Sequence, residues 1–289
     1  MPLPTRRALA AGLAALAAAG LIAGAAAARP FDEVMASGVL RVAVYDDNLP
    51  FSNEAGGAPR GIDVDIAQAL ADRLKLRLDL RVVDAGENVD GDFRLNLWRG
   101  DLAGTPLADL MLHVPHDRLL ATRNEQIFLT TPYFEQRLAF AYRRGAIEGF
   151  ESLRDLEAGT VAVEGTSASD SVLMSAEGGR FRANVKHFRS FEAAAKAFLA
   201  GETTILAGTR AGIEAALAEA KAAPEDVAVV EVPVPGLVRT RWDLGGAVRS
   251  DSRDLAYAVG EALSALASDG RLKAICARYG VSYTAPQGY

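Results

Sequence analysis

Apolar and polar residues change period repeatedly along this chain. Val39-Leu-Arg-Val-Ala-Val-Tyr45 and Leu76 to Val83 have the character of strands. Between them Gly61 opens a helix over Asp63 to Leu74. Asp63 and Asp65 stand in its first turn, where the helix dipole favours negative charge. Asp92 to Leu97 predicts a short helix with Phe93 and Leu97 on one face. The apolar run Ala108 to Val114 predicts a buried strand, and Arg137 to Arg143 another. A helical turn at Glu151 to Leu156 precedes a strand at Thr160 to Glu164. Gly165-Thr-Ser-Ala-Ser-Asp170 then opens a helix with good capping residues. A helix over Phe191 to Leu199, a strand over Thr203 to Ala207 and a helix over Gly212 to Lys221 follow. Strands at Val227 to Val232 and Gly245 to Arg249 lead to a long final helix, Asp254 to Leu266. Strand–helix alternation of this kind predicts an α/β fold.

The first 28 residues follow a different rule. Thr5-Arg-Arg7 precedes an Ala-, Leu- and Gly-rich run ending in Ala26 and Ala28, which reads as an export signal cleaved after Ala28. Its paired arginines also resemble a twin-arginine signal. No cysteine stands near the cleavage point to carry a lipid, so the expected product is soluble and periplasmic. Losing Arg6 and Arg7 takes the formal charge from -6 to -8, which argues against nucleic acid and anionic membranes as partners. Cys276 is the only cysteine, so no intrachain disulfide can form; a buried, inert thiol is expected. The three histidines lack zinc-ligand spacing, and neither a metal nor another cofactor is expected.

The strand Val39 to Tyr45, the loop Asp46-Asp-Asn-Leu-Pro-Phe51 and Gly61-Ile-Asp-Val-Asp-Ile-Ala67 together resemble the N-terminal signature of family 3 extracellular solute-binding proteins. Asp269-Gly-Arg-Leu272 and Arg278-Tyr-Gly-Val281 resemble the family's closing motifs, so the resemblance spans nearly the whole chain after the signal. It implies a two-lobed type II periplasmic binding protein with two crossover strands, Arg137 to Arg143 outgoing and Arg241 to Arg249 returning. Lobe 1 is then expected over 31–138 and 242–289, and lobe 2 over 139–241. The implied function is capture of a small, carboxylate-bearing solute for an inner-membrane ABC-type permease, by a monomer that performs no chemistry.

The same resemblance implies the site. Asp46, Asp47 and Phe51 stand at the mouth of the cleft. In Asp109 to Arg118, Arg118 matches the arginine that holds a ligand carboxylate in a bidentate fork. Pro115 replaces the family's threonine there, and His113 a small residue. Glu164-Gly165-Thr166-Ser167 matches the helix-opening turn whose N–H groups receive the carboxylate. The acid that pairs with a ligand ammonium is missing; Ala207-Gly208-Thr209 stands in its place, so ordinary α-amino acids are expected to bind poorly. Thr209 offers a hydroxyl but no charge.

Two other functions stay open at this point. Gly208-Thr-Arg-Ala-Gly212 resembles a short element of the J-type proteins that accompany periplasmic quinoprotein methanol and alcohol dehydrogenases, which would make a dehydrogenase the partner. A few members of the fold are dehydratases of cyclic acids, for which Glu164 or Asp170 could supply a general acid. No nucleophile–base–acid arrangement is legible, and a fold does not by itself confer activity.

Overall fold

A computed structural model of the chain describes residues 29–54, 56–234, 236 and 239–287. The expected export signal, 1–28, lies outside the described residues. The elements run α1 (Phe31–Ser37), β1 (Val39–Tyr45), α2 (Ile62–Leu74), β2 (Arg77–Val83), α3 (Val89–Phe93), β3 (Leu110–Pro115), α4 (Arg118–Arg123), β4 (Ile127–Leu129) and β5 (Phe134–Arg143). They continue with β6 (Val161–Glu164), α5 (Ala168–Ser175), β7 (Val185–Phe188), α6 (Phe191–Leu199), β8 (Ile205–Thr209), α7 (Arg210–Glu219) and β9 (Val227–Val230). β10 (Arg241–Arg249), α8 (Arg253–Ser268) and α9 (Arg271–Arg278) complete the order.

Strands β2, β1 and β3 pair in parallel, and β10 closes against β3 and β4 in the antiparallel sense. A second group, β7, β6 and β8, is also parallel, with β5 antiparallel to β8 and β9. β5 belongs to both. Its residues Phe134 to Arg137 pair with β10, and Leu138 to Arg143 pair with β8 and β9. The chain returns beside it, where the Leu138 N–H donates to the Thr240 carbonyl at 2.8 Å.

Each group of strands has its own core. Val44, Ile66, Leu70, Leu263 and Cys276 share one, under α2, α8 and α9. Phe140, Val163, Leu173, Phe181 and Ile205 share another, drawn wholly from the second lobe. Fully burying one such side chain is worth about 1.5–3 kcal/mol, and a further cluster in each group, around Phe93 and Met111 in the first and Phe198 and Ile213 in the second, adds to both. The lobes also touch. Ala211 at the start of α7 packs into the first core, and the Glu214 carboxylate accepts the Ser282 N–H at 2.7 Å.

Several sequence expectations shift. The helix expected at Asp254 to Leu266 extends as α8 from Arg253 to Ser268, and the helix expected around Cys276 follows as α9 after the αL residue Gly270. The segment expected as one short helix at 92–97 is α3 followed by a π-helical turn, Arg94–Trp98. α1, α4, β4 and β7 were not expected; each is short, and short elements carry too few periods to stand out.

Candidate ligand-binding cleft

The strand-to-helix turn after β1 brings the first wall of a cavity. Gly61 has φ +135, and a Cβ there would stand 2.1 Å from the Phe51 carbonyl oxygen, so only glycine lets the loop fold back this tightly. The loop presents Asp47, Asn48 and Phe51 to a cavity of about 570 Å³. Other walls are His113 from β3, Gln136 and Leu138 from β5, and Trp242 from β10. The second lobe adds Glu164, Ser167, Phe191, Gly208 and Thr209, and the space extends as a groove between α6 and α7. The volume suits a small organic ligand.

A bulge aims His113 into this space. Gly245 pairs with Val114 and Ala247 with Met111, so Leu112 and His113 together face Gly246. His113 takes φ +62, a left-handed conformation that an extra residue in a strand can require. The freed His113 N–H donates to the Tyr133 hydroxyl at 3.1 Å, and that hydroxyl donates to Asp63 at 2.6 Å. The other Asp63 oxygen lies 2.9 Å from His113 Nδ1. An ionised carboxylate only accepts, so Nδ1 carries the proton and Nε2 is the nitrogen left for the cavity. Asp63 is fully buried, and burial, followed by the Asp63 charge, pushes the Tyr133 hydroxyl well above its ordinary pKa. The Phe51 ring meets the imidazole edge-on, 4.5 Å between centroids.

Glu164 ends β6 opposite this wall. Burial, and next the charge of Asp47 across the cleft, raises its carboxyl above the ordinary pKa. Ser167 caps α5, its hydroxyl accepting from the Asp170 N–H at 3.1 Å. Asp170 in turn accepts the Thr166 N–H at 2.9 Å and lies 2.8 Å from His187 Nε2. Thr209 caps α7 by accepting the Gly212 N–H at 3.2 Å. A Cβ on Gly208 would stand 2.3 Å from the Phe191 ring, so the ring occupies the space beside the residues that replace the missing acid.

Of the residues expected at the site, Asp47, Phe51, His113, Glu164, Ser167 and Thr209 line the cavity. The other four lie off its wall. Asp46 turns back into its own loop, its carboxylate accepting the N–H groups of Asp47 and Glu54, both at 2.9 Å. The Gly165 N–H is taken by the Phe188 carbonyl at 3.0 Å, and Thr166 is exposed with its N–H spent on Asp170. Arg118 is the first residue of α4 and faces solvent. Its neighbour Asp117 caps that helix through the Leu120 N–H and pairs with Arg239 at 2.7 Å. Those contacts, with the Leu120 N–H strongest, hold the Asp117 carboxyl below the usual range.

The sequence reading missed Asn48, Gln136, Phe191 and Trp242, all on the cavity wall. Gln136 and Trp242 pair across the two crossing strands, so proximity to a crossover was the available signal. Phe191 gave none, because its position follows from two distant glycines. Cys276 is buried away from the cavity, and burial, with the Asp63 charge beside it, pushes its thiol up to about 12.

No protein-family model and no curated protein matches this chain. Solved structures do. An ancestral cationic amino acid solute-binding protein is similar at TM-score 0.67 and 22% identity, over 86% of this chain and 98% of its own. A Streptococcus pneumoniae amino acid ABC transporter substrate-binding protein, bound to L-arginine, is similar at TM-score 0.59 and 22% identity, over 88% and 98%. A histidine kinase sensor domain with similarity to periplasmic binding proteins follows at TM-score 0.57 and 18% identity, over 85% and 98%. At these identities the likeness concerns the fold: the chain has the two-lobed α/β architecture of type II periplasmic binding proteins, with its cavity where the lobes and the crossing strands meet.

Proposed function

We propose that this chain is a non-enzymatic binding protein that captures a small solute outside the inner membrane and delivers it to an ABC-type permease. The observation that carries this reading is the position of the cavity. Its walls come from both lobes and from the two strands that join them, so a solute there contacts every part that would move in closure. Lobes of 31–138 with 242–289, and of 139–241, would swing about the β5–β10 pair. The S. pneumoniae relative is described as a substrate-binding protein of an amino acid ABC transporter, which supports the same role. Among the described residues no helix is long and apolar enough to cross a membrane.

A carboxylate-bearing solute is the less supported form of this proposal. Its two warrants were Arg118, which faces solvent, and the turn before α5, whose amides are engaged by Phe188 and Asp170. A dehydrogenase partner also lacks support from residues 208–212. There Thr209 caps α7, and the two glycines make room for Phe191.

A thermal-shift screen of the chain from Arg29 with amino acids, carboxylates and amines tests the role. Ligand at 100 times its Kd stabilises by about 2.7 kcal/mol. A hit should also reduce the radius of gyration in solution scattering as the lobes close. A panel without any shift, together with binding to a periplasmic quinoprotein dehydrogenase, would replace this reading.

A further inference from the structure

We infer that the solute is an organic cation that lacks a carboxylate: an amine with an apolar aliphatic or aromatic body. This rests on the binding-protein reading above and names the chemistry of the same cleft.

Charge comes first. Asp47 on the first lobe and Glu164 on the second face one another closely enough for Asp47 to act on the Glu164 carboxyl. Glu164 is half-buried and Asp47 exposed at the rim; the two carboxylates repel, and a cation between them removes that repulsion. No arginine lines the cavity among the described residues. Its one lysine, Lys196, is exposed on α6 in the outer groove, together with Glu192 and Glu219. A ligand carboxylate between Asp47 and Glu164 would therefore meet neither an arginine nor a lysine there.

A second observation points to a donor on the ligand. Gln136 is 3% exposed and lines the cavity from the crossing strand, and its Oε1 is buried without a hydrogen-bond partner; Asn48 Nδ2, a donor on the cavity wall, is also buried without one, and a hydroxyl or ether oxygen on the ligand body would serve it. A buried acceptor left unpaired is costly, and an ammonium carries three donors able to satisfy it while bonding a carboxylate. His113 adds no anion site of its own while neutral, since Nδ1–H is committed to Asp63 and Nε2 is then an acceptor.

The body of the ligand follows from the remaining surface. Phe191 and Trp242, both half-buried on the cavity wall, supply rings, whose faces attract a cation and whose area suits an apolar skeleton. Beyond Phe191 the groove is walled by Ala195, Leu199 and Ala216. An extended chain or a ring could lie there with its ammonium at the acidic end. An α-carboxylate on the same skeleton would be carried into the Asp47–Glu164 field.

The test compares one skeleton in three charge forms. Phenethylamine, phenylalanine and 3-phenylpropionate, and likewise pentylamine, norleucine and hexanoate, are titrated calorimetrically into the chain from Arg29. At least one amine should bind, with the matching amino acid at least tenfold weaker and the carboxylate undetected. Glu164→Gln and Asp47→Asn, each checked for an unchanged circular dichroism spectrum, should each weaken the amine at least tenfold. Amino acids or carboxylates that bind as well as the amines would overturn this inference and leave the binding-protein reading standing. Amine binding that survives both substitutions unchanged would also overturn it. Silence of all six compounds, and of the wider screen, would remove both.

Discussion

The Tyr279 hydroxyl donates to the Asp65 carboxylate at 2.8 Å while accepting the Gly61 N–H at 3.1 Å. Two segments more than 200 residues apart thus meet at the first turn of α2, with Arg278 adding an ion pair to the same carboxylate at 3.0 Å. Burial, then the bond to Asp65, raises the Tyr279 hydroxyl above its ordinary pKa, so it stays a donor at neutral pH. Tyr279→Phe removes a charge-assisted bond and leaves Gly61 unpaired. The expected loss is about 1–2 kcal/mol of stability, read from urea unfolding. A loss indistinguishable from zero would mean that water replaces the hydroxyl.

Arg118→Ala should change stability by less than about 0.5 kcal/mol, the ordinary range for an exposed side chain away from special contacts. Affinity for whatever solute the screen finds should stay within twofold. A tenfold loss, measured by calorimetry, would show that the guanidinium reaches the cleft in the bound state.

Glu164 gives a pH signature. Its folded pKa lies above its unfolded one, so the folded state holds the proton more tightly, and stability falls as pH rises through the window between the two values. At pH 7 the ionised group therefore costs stability. Glu164→Gln should raise the ligand-free Tm at pH 7, and the gain should vanish below the unfolded carboxylate range. Melting curves at pH 7 and at about pH 3.5 check the sign. An equal Tm difference at both would assign the effect to packing.

Gly208→Ala tests the seat of Phe191. A Cβ at 2.3 Å from the ring forces the ring to move, and overpacking of this kind costs about 1–3 kcal/mol. The double variant Gly208→Ala with Phe191→Leu should recover part of that loss in chemical unfolding. Additive losses in the pair would show that the two residues do not share the space.

Cys276 should be unreactive in the folded protein. With its thiol pushed up to about 12 and its side chain buried, little thiolate exists at pH 8. Ellman's reagent should report no thiol in buffer and one per chain in guanidinium. Rapid labelling without denaturant would place the thiol at the surface.

The amino-acid sequence by itself determined the alternation of strands and helices. Val39 to Tyr45 and Phe191 to Leu199 each carry enough turns or pleats for their period to show. It also determined the tight passage into α2, because no residue but glycine tolerates φ +135 against the Phe51 carbonyl. What lines the cleft was decided only by tertiary structure. One extra residue in β3 turns His113 inward, and Asp117 takes the cap of α4, leaving Arg118 to begin that helix on an exposed face. Gln136 and Trp242 become neighbours because two strands cross, and Phe191 enters because Gly208 and Gly212 leave space for a ring. Each is a long-range steric or pairing event. Side-chain direction in a strand reverses with a shift of one residue, so the local pattern names the strand, while its partners decide which side chains meet the ligand.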